Sequence, residues 1–168
     1  GVRRAVVQPL LPRLVPRGCG VSTRSTIGVA NSDGTIRGIY CHFDGYPESV
    51  GRILIGHYTD PEKVAALMNL GDISSLGEEI GTKHDFGKRP DGECNAYGRD
   101  RGEENVESRV FDGRDHFAAE GTSYHYLFCN DGQWLVFARH SDGPKEWEPV
   151  ADVIARREAE RAAAEVQS

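Results

Sequence analysis

The sequence has no close cysteine pair. Cys19, Cys41, Cys94 and Cys129 stand far apart, whereas tetrahedral zinc sites usually draw ligands from CxxC spacings. Cys41 and Cys129 fall in strand-like runs, where a free thiol behaves as a small buried hydrophobe. The expectation is therefore inert thiols in a reducing, cytoplasmic setting, with no metal and no cofactor. Long apolar runs are also missing. None approaches the roughly 18 residues that a membrane helix needs, so no membrane partner is expected. HExxH, GxSxG and the phosphate-cradling P-loop are all absent. Asp85-Phe86-Gly87 matches a kinase tripeptide, but every other kinase element is missing. No strand–helix–strand unit carries a glycine-rich phosphate loop, which excludes a Rossmann-type fold.

What is present reads as one domain. The chain has 168 residues, 20 glycines and a formal charge of −6, a loop-rich globular profile. The charge is uneven: residues 1–20 hold Arg3, Arg4, Arg13 and Arg17 and no acid, leaving the remainder more acidic than the whole. An acidic body repels phosphate backbones, so nucleic acid is disfavoured as a partner. Pro9, Pro12 and Pro16 break any helix in the first twenty residues. This leader admits three readings: a transit peptide, a protease-cleavage scar around "LVPRG", or translation upstream of a true start at Val21. We expect residues 1–20 to be disordered and 21–168 to form the domain.

Two hairpins stand out, each around an Asp-Gly turn: "STIGVANSDGTIRGIYCHF" and "SYHYLFCNDGQWLVFARH". Asp-Gly suits the two-residue type I′ loop. That loop pairs Ile27 with Tyr40 and Ser25 with His42, and in the second hairpin Cys129 with Trp134 and Tyr126 with Phe137. Both faces of the second hairpin are apolar, which predicts a central, covered position. Between the hairpins, Val50, Ile53, Leu54, His57 and Tyr58 trace a helical stripe, making His57 a packing residue. A second helix follows, capped by Thr59 or Asp60, with Pro61 in its first turn and Gly71 at its end; Val64, Leu67 and Met68 form its buried stripe. Ser75 and Glu78 have capping-box spacing, consistent with a short helical turn. Periodicity fails from about 81 to 121, which reads as a long polar loop. In the C-terminal helix Trp147, Val150, Val153 and Ile154 can pack, and the last dozen residues should project or fray. The expected fold is α+β: a four-stranded, largely antiparallel sheet from two hairpins, with two or three helices on one face.

Two clusters could carry chemistry. In "YCHFDGYPESVG" (40–51), His42 and Asp44 could form an oriented base, or two of three metal ligands. The structural reading is that Asp44 caps a turn, Gly45 supplies backbone freedom and Pro47 starts a helix. In "YGRDRGEE" (97–104), Arg99 and Arg101 could clamp an anion, although their acidic neighbours suit a solvated loop. A composite site would use His42, Asp44 and Glu103 catalytically, with Tyr46, Arg99, Asp100 and Arg101 binding ligand. The aromatic residues of the second hairpin could stack nucleobases, but core packing fits the acidic charge better. An acidic nucleic-acid mimic ranks last, because acids and bases are interspersed.

Three stretches together, "STRSTIGV", "IYCHFDGYPESVGRIL…HYTDPEKVAALMNLGDISSLG" and "AYGRDRGEE", resemble a group of short, uncharacterised proteins encoded by bacteriophages and prophages. The resemblance covers most of residues 22–104. It implies a small soluble accessory protein acting in a bacterial cytoplasm, and brings no activity with it. The leading expectation is a protein that acts through protein–protein interaction with a host protein. The alternative is a small hydrolase or anionic-ligand-binding enzyme whose site joins the HFDGYP turn to the RDRGE loop.

Overall fold

A computed structural model describes residues 22–140 and 142–167; the leader at 1–20 lies outside the described residues. The strands are β1 (Ser25–Ala30), β2 (Ile36–Cys41), β3 (Ile73–Ser75), β4 (Asn95–Ala96), β5 (Arg109–Phe111), β6 (Tyr124–Phe128), β7 (Trp134–Phe137) and β8 (Glu148–Pro149). The helices are α1 (Arg52–His57), α2 (Pro61–Leu70), α3 (Tyr97–Arg101), α4 (Arg114–Phe117) and α5 (Val150–Gln167). All eight strands form one sheet in the order β4-β3-β2-β1-β6-β7-β8, with β5 pairing against β2.

This corrects the expected four-stranded sheet. The hairpins β1–β2 and β6–β7 are present, but they join through a parallel β1–β6 pair running from Ser25–Tyr124 to Val29–Phe128. A second parallel pair, Cys41–Ile73, adds β3 to the outer edge of β2, and the sheet is therefore mixed. The segment read as a long loop supplies β4, β5, α3 and α4. "ISS" at 73–75 is a strand rather than a capping-box turn.

Both hairpins are offset by one residue from the two-residue-loop prediction, for the same reason. Ile27 pairs with Ile39, not Tyr40, and Tyr126 pairs with Val136, not Phe137. Each loop contains three residues. Asn31 N–H donates to Thr35 O and Gly34 N–H to Asn31 O, with Gly34 at φ 92°. Cys129, Gln133 and Gly132 (φ 86°) repeat the pattern. This is a type I turn closed by a left-handed glycine. The aspartate before each glycine accepts the N–H two residues ahead, Thr35 at 2.9 Å and Gln133 at 3.0 Å. A one-residue shift exchanges the faces of a strand. Tyr124, Tyr126 and Phe128 accordingly share a face with Trp134 and Val136.

That face carries the main core. Ile27, Ile39, Cys41, Tyr126 and Val136 pack against Val50, Leu54, Val64, Leu67, Met68, Val150, Val153 and Ile154. Helix α2 forms as its sequence dictates: Asp60 caps Glu62 N–H, Pro61 opens the helix and Gly71 closes it at φ 81°. Helix α1 differs. A π-turn at Pro47–Gly51 precedes it, so the buried stripe runs Val50, Leu54, Tyr58. His57 rotates to the surface, where Nε2 lies 3.0 Å from Glu78. The opposite face of the sheet carries a smaller cluster. There Phe117 of α4 sits against Gly28 and Gly38, whose absent side chains leave room for its ring, and Ile36, Phe111 and Leu127 complete a small cluster.

Candidate functional site

The end of β2 is only part-covered on that second face. Strand alternation puts Tyr40 and His42 on that face, together with Arg24 of the neighbouring strand, while Thr26 beside Tyr40 is buried. Arg24 and His42 lie one step beyond the last paired residues, Ser25 and Cys41. Tyr40 Oη is 2.7 Å from His42 Nδ1, and Ser22 Oγ is 3.3 Å from Nε2. The ring meets Phe43 edge-on, with centroids 4.5 Å apart. A phenol is a far stronger acid than a serine hydroxyl, and its contact is the shorter one. We therefore assign the Tyr40 hydroxyl as donor to Nδ1, which leaves the proton on Nε2, facing Ser22. Burial first, and then the Arg24 charge, lower the His42 pKa, so the ring is neutral near pH 7. With its proton on Nε2, His42 presents a donor to Ser22 rather than a base.

The turn after β2 is pinned from below. Tyr126 Oη donates to Gly45 O at 2.6 Å, and Gly45 N–H donates to Thr23 O at 2.8 Å. A side chain at Gly45 would sit 2.7 Å from Thr23 O, so glycine serves close approach there. The unusual backbone belongs to Asp44, at φ 56°. The Asp44 side chain is exposed, and the His42 ring nitrogens engage Tyr40 and Ser22 instead. Tyr46 is partly buried against the main core.

The RDRGE segment lies nearby, because β3 alone separates β2 from β4 and α3. Two strand spacings are roughly 10 Å. Its side chains, however, point into the framework. Arg99 donates to Asp100 Oδ1 and Oδ2, to Ile80 O and to Cys94 O. Asp100, with a fully buried side chain, also accepts Ala96 N–H at 2.8 Å and His84 N–H at 3.0 Å. Burial works to raise the Asp100 pKa, but these hydrogen bonds and the Arg99 charge outweigh it and hold the carboxyl below its usual range. His84 completes the knot through Asn95 Oδ1 and Thr82 O. Arg101 lies over the stacked rings of Phe86 and Tyr97 and pairs with Glu103. The four acceptors engaged by Arg99 fasten the 80–100 segment to the sheet, and Arg101 is stacked and neutralised.

Sequence reasoning passed over Ser22, Arg24 and Tyr40. Their signal was the alternation Ser22-x-Arg24-x-Thr26 opposite Tyr40-x-His42, legible only once each hairpin loop is counted as three residues. With the other described residues, Arg24 makes no side-chain hydrogen bond, ion pair or ring contact, alone among the described arginines. Elsewhere, Glu48 is held by Arg157 at 2.9 Å and Arg161 at 2.8 Å. These residues line a cleft of about 320 Å³ between α5 and Asp142–Pro144. Among the described residues, no group of three His, Cys, Asp or Glu side chains is placed to hold a metal, and no helix is long and apolar enough to cross a membrane. No protein-family model, curated protein or solved structure matches the chain.

Proposed function

We infer that the protein acts by binding another protein, through the distal end of α5, as an accessory factor in a bacterial cell. One observation carries this reading: α5 continues for about three turns beyond its last buried residue, Ile154. Val150, Val153 and Ile154 are its buried residues. Farther along, Arg157 and Arg161 tie it to Glu48, and Arg52 pairs with Glu158. Beyond Arg161 every described residue is exposed, with Val166 at 84%. Ala159, Ala162, Ala163 and Val166 recur at helical spacing and form a thin apolar stripe on an exposed helix end. Such a stripe fits the helix-in-groove mode, in which a partner's apolar groove receives positions i, i+3/i+4 and i+7.

The composite catalytic reading has less support, because Arg99 is consumed internally and Arg101 already has its carboxylate. The test compares two baits in a bacterial lysate, the full chain and a chain ending at Arg161. A partner retained by the full chain and lost from the truncated one supports the reading. Equal recovery by both baits, or recovery by neither, contradicts it.

A further inference from the structure

We propose that Arg24, His42 and Ser22 form a binding site for the phosphate group of an organic phosphate monoester. Three donor residues lie at the open end of the β1–β2 hairpin, with Arg24 opposite His42 one step beyond the Ser25–Cys41 pair. Arg24 brings a guanidinium fork that no described residue occupies. His42 brings the Nε2–H, fixed in place because Tyr40 engages Nδ1 at 2.7 Å. Ser22 adds a hydroxyl 3.3 Å from that nitrogen. No carboxylate of a described residue pairs with Arg24. The charged and titratable neighbours are Tyr40 on the same strand, Asp44 at the turn, and Asp72 and Tyr97 beside Tyr40.

The number of donors selects the anion. A carboxylate offers two oxygens and one charge, which the guanidinium fork already matches. A phosphate monoester has three terminal oxygens and about two negative charges above pH 6, enough for all three groups. Phe43 selects an ester over free phosphate. Its ring, packed edge-on to His42, is 43% exposed and gives the ester's organic group an apolar surface at the rim. This site is separate from the helix end proposed for protein binding, and either can fail without the other.

The test follows the His42 ring by NMR at rising concentrations of phenyl phosphate or inorganic phosphate, with sodium chloride at matched ionic strength as the reference. A bound phosphate offsets the Arg24 charge that disfavours protonation, so the His42 titration should move to higher pH, saturably, and phenyl phosphate should bind more tightly. Arg24→Gln, at an exposed position, should fold normally and lose about tenfold or more in affinity. Arg24→Lys should lose less. A shift that chloride reproduces, or unchanged affinity in Arg24→Gln, overturns the site. Equal affinity for the two phosphates overturns the assignment to an ester.

Discussion

Replacing Asp100 with Asn tests whether the RDR run is framework. Each carboxylate oxygen accepts one guanidinium and one backbone N–H: Oδ1 from Arg99 Nε and His84 N, Oδ2 from Arg99 Nη2 and Ala96 N. An asparagine amide is nearly the same shape, but whichever oxygen becomes NH2 then faces two donors. One backbone N–H loses its acceptor, at about 1–3 kcal/mol, and the arginine is left uncompensated. Breaking a buried ion pair from one side costs about 3–5 kcal/mol in all. Arg101→Ala is the control, since its ion pair with Glu103 is half exposed and its cation–π contact is worth about 0.5–1 kcal/mol. In urea, with a slope of about 2 kcal/mol/M, the Asn midpoint should fall by roughly 2 M and the Ala midpoint by less than about 0.5 M. Acid should show the same asymmetry. Because the folded Asp100 pKa is depressed, its stabilisation is fully present above the ordinary value near pH 4 and is lost as pH falls through the folded value. The Asn variant should lack that part of the acid slope. A loss under about 1 kcal/mol in Asp100→Asn, equal to that of Arg101→Ala, would refute the framework reading.

Other expectations follow from the same packing. Gly28→Ala would place its methyl 2.8 Å from Ile36 Cγ2 and 2.9 Å from Phe117 Cζ; thermal denaturation should show a cost of about 1–3 kcal/mol. Gly132→Ala has free space around it but a φ of 86°, so its cost should be about 1–2 kcal/mol and purely conformational. Burial and the Arg139 charge lower the His125 pKa to about 4. Its contribution is intact above the ordinary histidine value near 6.5 and declines as pH falls toward 4, by about 3 kcal/mol in total. His125→Phe should flatten stability across that window.

The hairpins were legible in the sequence because Asp-Gly turns and β-branched runs are local signals. Their register was not, because Asp-Gly serves a two-residue loop and a three-residue loop equally well, and only the closing pairs Asn31–Thr35 and Cys129–Gln133 distinguish them. Helix α2 was readable to its caps, since Asp60, Pro61 and Gly71 act within their own turns. The sheet's extent was hidden. The β1–β6 and β2–β3 pairs are parallel and join residues distant in sequence, and strands of two or three residues such as β4 and β5 are too short to show alternation. The 80–100 segment read as loop because its order comes from one buried carboxylate holding Ala96, His84 and Arg99 together. The same contact explains the fate of the RDRGE cluster. Its residues do lie near the end of β2, but the arginine that looked free to bind an anion is engaged inside the fold. Arg24, inconspicuous in sequence, lies opposite His42, and no described side chain engages its guanidinium.

The claim that function sits on the distal end of α5 is tested most directly by hydrogen exchange along that helix in the free chain. Protection should be high around Val153–Arg157 and fall steeply beyond Arg161, since the last buried residue of α5 is Ile154 and residues 162–167 are exposed. Protection of 162–167 equal to that of the anchored half would show that the end is already held in place, and would contradict an exposed helix end awaiting a partner.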